Sequence, residues 1–141
     1  MIKYIARKVQ GESMQELKIG LKAEVKEKVL HTNTAAAMGS GSLEVYATPA
    51  MIALMEKAAC AVVNPCLEAG ITSVGISMSI SHDCATLPGK TIAAQAVLSN
   101  VEGRKLTFKV SASDDYGLIG QGTHERFLVK ETKFLAKLQN K

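Results

Sequence analysis

Apolar and polar side chains alternate along several short runs of this chain, and one longer run does not alternate at all. In "LKIGLKAEVKEKV" (residues 17–29), Leu17, Ile19, Leu21, Ala23 and Val25 occupy every second position, which predicts a half-buried strand. "SVGISMSISH" (73–82) alternates strictly. Val74, Ile76, Met78, Ile80 and His82 fall on one face, with Gly75, Ser77, Ser79 and Ser81 on the other. Pro88-Gly89 then marks a turn. "KTIAAQAVLSNV" (90–101) and "RKLTFKVSASD" (104–114) read as two strands joined at Glu102-Gly103. A second turn at Asp115-Tyr116-Gly117 leads into "LIGQGTHERFLV" (118–129). Gly120 and Gly122 inside that last strand predict a bulge or a close approach by another backbone. The tail "KFLAKLQNK" is either a short helical turn or a frayed end.

The run without alternation is "ATPAMIALMEKAACAVV" (47–63). Thr48-Pro49 predicts a helix start, with Thr48 as N-cap and Pro49 at the first helical position. The helix is expected to run to about Leu67, with Gly70 as its stop. Before it, "AAAMGSGS" (35–42) is rich in small residues and predicts a mobile loop. The order is therefore strand, loop, one long helix, then four strands as a meander. That is an α+β pattern, a single domain spanning residues 1–141, with one helix against an antiparallel sheet. Ala50, Ala53, Ala58, Ala59 and Ala61 keep the helix thin. A thin helix fits inside a strongly curled sheet, the arrangement called a hotdog fold.

Composition changes the picture in two respects. Aromatics are only 4% of the chain and Trp is absent, so the core must be built from Ala, Val, Ile, Leu and Met. Such a core favours self-association. Charge is also unevenly placed: residues 1–30 carry +3, residues 31–89 carry −3 and residues 90–141 carry +4. Basic flanks suit an anionic small ligand. They make a poor nucleic-acid surface, because no aromatics interleave with the basic residues. No apolar run reaches the ~20 residues of a membrane span, and the N-terminus lacks the pattern of a signal peptide. Cys60, Cys66 and Cys84 form no C-x-x-C pair, and an odd count predicts reduced thiols in a cytoplasm.

Candidate chemistry centres on Glu56. Its helical neighbours at three and four residues are Ile52, Ala53, Ala59 and Cys60, all apolar or nearly so. A carboxylate in that setting is expected to have a raised pKa through desolvation, which suits general acid–base work; the competing expectation is a solvated helix edge. Thr48 lies eight residues earlier, ~12 Å along the helix axis and ~80° around it. The two side chains cannot touch, but both can line one pocket wall. His82 ends a strand beside Asp83 and Cys84, and histidine is the natural proton carrier at neutral pH. His31 and His124 carry the same ambiguity between chemistry and structure. Gly75 permits close approach of a ligand, and its N–H is a candidate oxyanion donor. No histidine–acid set has metal spacing, so no metal is expected.

These residues, in "EVYATPAMIALMEKAA", "SVGISMSISHDCATLPG" and "VEGRKLTFKVSASDDYGLIGQGTHER", resemble the fluoroacetyl-CoA thioesterase family of the hotdog superfamily. The resemblance covers residues 43–141, and the first strand more loosely. It implies catalytic roles for Thr48, Glu56 and His82, and substrate contacts at Gly75 and Arg126. It also implies hydrolysis of a small or short-chain acyl-CoA at a site shared by two subunits of a dimer, with no cofactor beyond the CoA of the substrate. The basic flanks then meet the CoA phosphates. One stretch departs from the pattern: "HTNTAAAMGSGS", before the helix, carries no Phe where the family has aromatic lid residues. The alternative function is a non-catalytic acyl-CoA binding or sensing module. A third, a hotdog dehydratase, expects a different placing of His and acid on the helix.

Overall fold

The computed structural model describes residues 8–9, 12–13 and 16–141. Two short strands, β1 (Lys8–Val9) and β2 (Glu12–Ser13), pair with each other. The main body follows as β3 (Lys22–Lys28), α1 (Ala35–Met38), α2 (Thr48–Val63), β4 (Ile71–His82), β5 (Thr91–Glu102), β6 (Lys105–Asp114), β7 (Gly117–Lys130) and α3 (Glu131–Gln139). Strands β3 to β7 form one antiparallel sheet in the order β3-β5-β6-β7-β4.

Helix α2 is the centre of the core. Ala50, Met51, Leu54, Met55, Ala58, Ala59, Val62 and Val63 are buried, at the spacing of a broad apolar face. They pack against the inward positions of the sheet: Ile92, Ala94, Ala96 and Leu98 on β5, and Leu106, Phe108, Val110 and Ala112 on β6. Phe108 is the one phenylalanine in this cluster, so the core is aliphatic, as the composition requires. This is the hotdog arrangement of a sheet wrapped on one helix.

Several expectations need correction. The first strand is shorter than residues 17–29, because Gly20 turns the chain with φ 98° and leaves Ile19 65% exposed. The segment 35–42 holds α1, capped by the Thr34 hydroxyl and ended by Gly39. Helix α2 begins at Thr48 itself, with Ala47 as N-cap, so the Thr48 hydroxyl is free for another partner. It ends at Val63 and continues as a 3-10 turn, Asn64–Cys66, where Pro65 supplies no N–H. Gly70, with φ 86°, turns into β4 rather than capping the helix.

The four later strands are not a simple meander either. Strand β4 lies at the far edge and pairs with β7, while β5, β6 and β7 form the meander. The β4–β5 connection instead crosses the start of α2, where the Thr86 carbonyl accepts from the Tyr46 N–H at 2.8 Å. Finally, the alternation of β4 is broken. A bulge between Gly75 and Ser77 inserts Ile76, so the faces exchange at that point. Gly75 thereby shares the inward face with Met78, Ile80 and His82. Ile76 is 50% exposed instead of buried.

Candidate active site

Two clusters of polar side chains lie along α2. The first is at its start. Thr48 Oγ1 and His82 Nδ1 are 2.7 Å apart, linking the first residue of the helix to the last residue of β4. With Nδ1 as acceptor, the Thr48 hydroxyl donates to the ring. His82 Nε2 is buried and has no hydrogen-bond partner among the described residues. A cleft of about 330 Å³ opens here, lined by Ala35, Ser40, Thr48, His82 and the exposed Cys84, among others. Its lining residue Tyr46 is held by a hydrogen bond from its hydroxyl to Glu27 Oε2 at 2.5 Å, and the segment after Ala85 is held where the Thr86 hydroxyl donates to Asp114 Oδ2 at 2.7 Å. Burial, reinforced by the Glu27 carboxylate, pushes the Tyr46 phenol far above its ordinary pKa, so it remains a donor.

The second cluster lies two turns further along the helix. Glu56 Oε2 is 3.5 Å from Arg126 Nη1 and 4.0 Å from His124 Nε2. Arg126 is 6% exposed and is held by three further contacts. Its Nε donates to Ser73 Oγ at 2.8 Å, its Nη2 to the Ser73 carbonyl at 3.0 Å, and its Nη1 lies 3.2 Å from His124 Nε2. Both nitrogens of His124 are thereby assigned. Nδ1 faces the Ser77 carbonyl at 2.8 Å, which can only accept, so Nδ1 carries the proton. Nε2 faces a guanidinium, which can only donate, so Nε2 is bare. Burial lowers the His124 pKa, and the Arg126 charge adds to that effect. His124 is a neutral, structural bridge that aims Arg126 at Glu56.

Gly75 completes this second cluster. A Cβ there would stand 2.7 Å from Glu56 Oε2 and 3.4 Å from Arg126 Nη1. Only a residue without a side chain lets the Glu56 carboxylate lie against the strand. Of the two expectations for Glu56, a carboxylate among apolar neighbours and a solvated helix edge, the exposure favours the second. On the helix its neighbours are apolar, but its side chain is 41% exposed and β7 supplies a cation.

Of the five residues singled out from the sequence, the structure joins Thr48 to His82, and Glu56 to Gly75 and Arg126. It does not join the two groups within one chain. Ser73 and Tyr46 were missed as site supports, and the ambiguity of His124 resolves to a structural role. For His124 a signal existed: in "GTHER" it stands two residues before Arg126, so the two share one face of a strand.

A family model described as fluoroacetyl-CoA-specific thioesterase matches residues 29–132. The chain belongs to this family. The fluoroacetyl-CoA thioesterase of Streptantibioticus cattleyicolor is 45% identical to it over 98 residues, 70% of each chain. The solved structure of the fluoroacetyl-CoA thioesterase FlK superposes with a TM-score of 0.84 at 35% identity, covering 90% of this chain and 98% of that one. A thioesterase superfamily member from Thermus thermophilus gives a TM-score of 0.83 at 28% identity, covering 90% and 94%. As a member of the family, the chain is a thioester hydrolase. Among the described residues no helix is long and apolar enough to cross a membrane.

Proposed function

We propose that this protein hydrolyses the thioester of a small or short-chain acyl-CoA, releasing the free acid and CoA. The observation that carries the reading is the 2.7 Å contact between Thr48 Oγ1 and His82 Nδ1, a hydroxyl paired with a base. His82 accepts the proton of the attacking oxygen, which is that of Thr48 or of a water held on it. The oxygen adds to the thioester carbonyl, the C–S bond breaks, and His82 returns the proton to the departing CoA sulfur. Where Thr48 is the attacking group, a water that gives its proton to His82 then cleaves the acyl ester, and His82 returns that proton to the Thr48 oxygen. The modest cleft and its small lining residues favour a short acyl group. Related FlK supports the class of substrate, since a threonine-to-serine variant of that enzyme was solved with acetyl-CoA. No cofactor enters the scheme, and the free thiols of Cys60, Cys66 and Cys84 support a cytoplasmic setting on this reading.

Glu56, Gly75 and Arg126 join the site in a homodimer on this reading. Strand β4 is an edge strand of 12 residues, with β7 on one side only. Edge strands of that length template further pairing. A two-fold antiparallel pairing of β4 with its copy, centred between Met78 and Ser79, sets Gly75 of one subunit beside His82 of the other. The partner's Glu56 then approaches the otherwise unpartnered His82 Nε2, while Arg126 and the Gly75 N–H face the thioester oxygen. The test is release of CoA thiol from a panel of acyl-CoAs by wild type, Thr48→Ala, His82→Ala and Glu56→Gln. Wild-type turnover lost in all three variants is the expected result. Binding of acyl-CoAs without any turnover would leave a non-catalytic binding module instead. Mass spectrometry of the protein during turnover decides whether the acyl group passes through Thr48.

A further inference from the structure

A third feature lies outside both clusters. Between α3 and the sheet is a cleft of about 440 Å³, within the range of small-ligand sites. Four cations line it: Arg104 from the β5–β6 turn, and Lys130, Lys133 and Lys137. The aromatic rings of Phe127 and Phe134 also line it, and among the described residues no carboxylate does. The chain has three phenylalanines, and two of them are here. Phe127 is 36% exposed on the face of β7 opposite Arg126, away from α2.

The sequence spacing makes this a coherent surface. Lys133, Phe134 and Lys137 recur at helical intervals of three and four, so they share one side of α3, and Lys130 is the residue that leads into it. Like charges at that spacing repel one another. A polyanion in the cleft would relieve that repulsion, and the two rings offer faces to a planar base.

We propose that this cleft binds the adenosine 3′,5′-bisphosphate end of CoA. The inference rests on the acyl-CoA reading above. That end of CoA carries an adenine, a phosphomonoester and a pyrophosphate, about four negative charges in all by the usual phosphate ionisation. Its charge matches the four cations, and its base matches the phenylalanine faces. Position also fits. Gly75 pairs with Arg126, the residue before Phe127, and lies only four residues from the start of β4. Four strand residues span about 13 Å, a distance an extended phosphopantetheine arm can bridge. The nucleotide thus rests around the end of the sheet while the thioester reaches the Glu56 side.

Two measurements test this on the intact protein, comparing wild type with Lys133→Ala/Lys137→Ala and with Arg104→Ala. Calorimetric titration uses adenosine 3′,5′-bisphosphate as probe. Wild type should bind it, more tightly than adenosine 5′-monophosphate, and the double variant should bind on the order of tenfold more weakly through loss of charge-assisted contacts. Steady-state kinetics then compares acetyl-CoA with the acetyl thioester of N-acetylcysteamine, which has no nucleotide. The preference for acetyl-CoA, as a ratio of kcat/KM values, should fall on the order of tenfold in the double variant, mainly through KM. Absence of binding to wild type, equal binding by the variants, or an unchanged preference would overturn the assignment. Binding of the bisphosphate by a wild type that hydrolyses no acyl-CoA would sustain the cleft and sink the thioesterase reading, so the two failures are separable.

Discussion

Substituting Gly75 by Ala isolates the contact between the bulged strand and the helix. The added Cβ would stand 2.7 Å from Glu56 Oε2, whereas ordinary contact begins near 3.4 Å, so the carboxylate must retreat by about 0.7 Å. The other neighbours, Arg126 Nη1 and His124 Cε1, are both at 3.4 Å and need not move. Glu56 is the yielding partner because its side chain is 41% exposed and ends a flexible stem. The fold should tolerate the change. Replacing Gly by Ala in a regular element gains about 0.5–1 kcal/mol in backbone entropy, which offsets the local crowding.

Activity should not tolerate it. A misplacement approaching 1 Å at a reacting group costs up to about a hundredfold in rate. We therefore expect kcat/KM for acetyl-CoA to fall ten- to hundredfold, with the urea unfolding free energy within about 1 kcal/mol of wild type. If the loss acts through the carboxylate, Gly75→Ala should add little to Glu56→Gln in the double variant. Full activity in Gly75→Ala would refute the reasoning. So would a double variant whose loss is the product of the two single losses, since that places Gly75 in a role independent of Glu56.

Two further outcomes follow from the supports of the site. Tyr46→Phe removes the hydrogen bond from a phenol that is 1% exposed to the Glu27 carboxylate, and hydrogen bonds to charged groups contribute about 1.5–3 kcal/mol. Urea unfolding should show a loss of that order, and kcat should drop as the segment leading into Thr48 loosens; a loss below about 0.5 kcal/mol would contradict the clamp. His124 governs the acid side of stability. Its folded pKa lies below the ordinary 6.5, so the unfolded chain takes up a proton that the folded chain resists. The contribution of neutral His124 is present above about pH 6.5 and is lost as pH falls below it. Unfolding midpoints at pH 7.5 and pH 5.5 should differ more in wild type than in His124→Asn, and equal differences would remove His124 from the account.

Local pattern carried much of the fold, because each strand and α2 has a periodicity of its own. Thr48 and His82 were legible as candidates from their residue types and their places at element ends. Their contact was not, since it joins positions 34 residues apart through the crossing of β4 to the far edge of the sheet. Glu56 shows the same limit more sharply. Its helix neighbours told of an apolar setting, but its cation stands 70 residues away on β7. Even the parity of β4 was misleading beyond one point. A single extra residue at Ile76 reverses the faces, and nothing in the alternation of apolar and small residues marks a bulge before the pairing partner is known.

One strand explains why the two clusters keep their places along α2. By period two, the inward face of β7 carries Gly120, Gly122, His124, Arg126 and Leu128. At its narrow end a Cβ on Gly120 would stand 2.9 Å from the Met51 sulfur and would strike the Ser81 carbonyl. The helix start is therefore drawn close to β7 and to the end of β4, which lets Thr48 reach His82. Two and three positions further along that face, His124 and Arg126 replace the glycines with bulk and buried charge. There the gap between helix and sheet is filled by a guanidinium that meets Glu56 rather than by apolar packing. His124 carries no proton to spare, because both its nitrogens are engaged, and its stacking on Phe108 at 6.1 Å ties it to the core. The same strand thus sets a close approach at one end of α2 and a polar wedge at the other. A substitution that adds volume at Gly120 and one that removes it at Arg126 should disturb different clusters, although the two positions lie on one face of one strand.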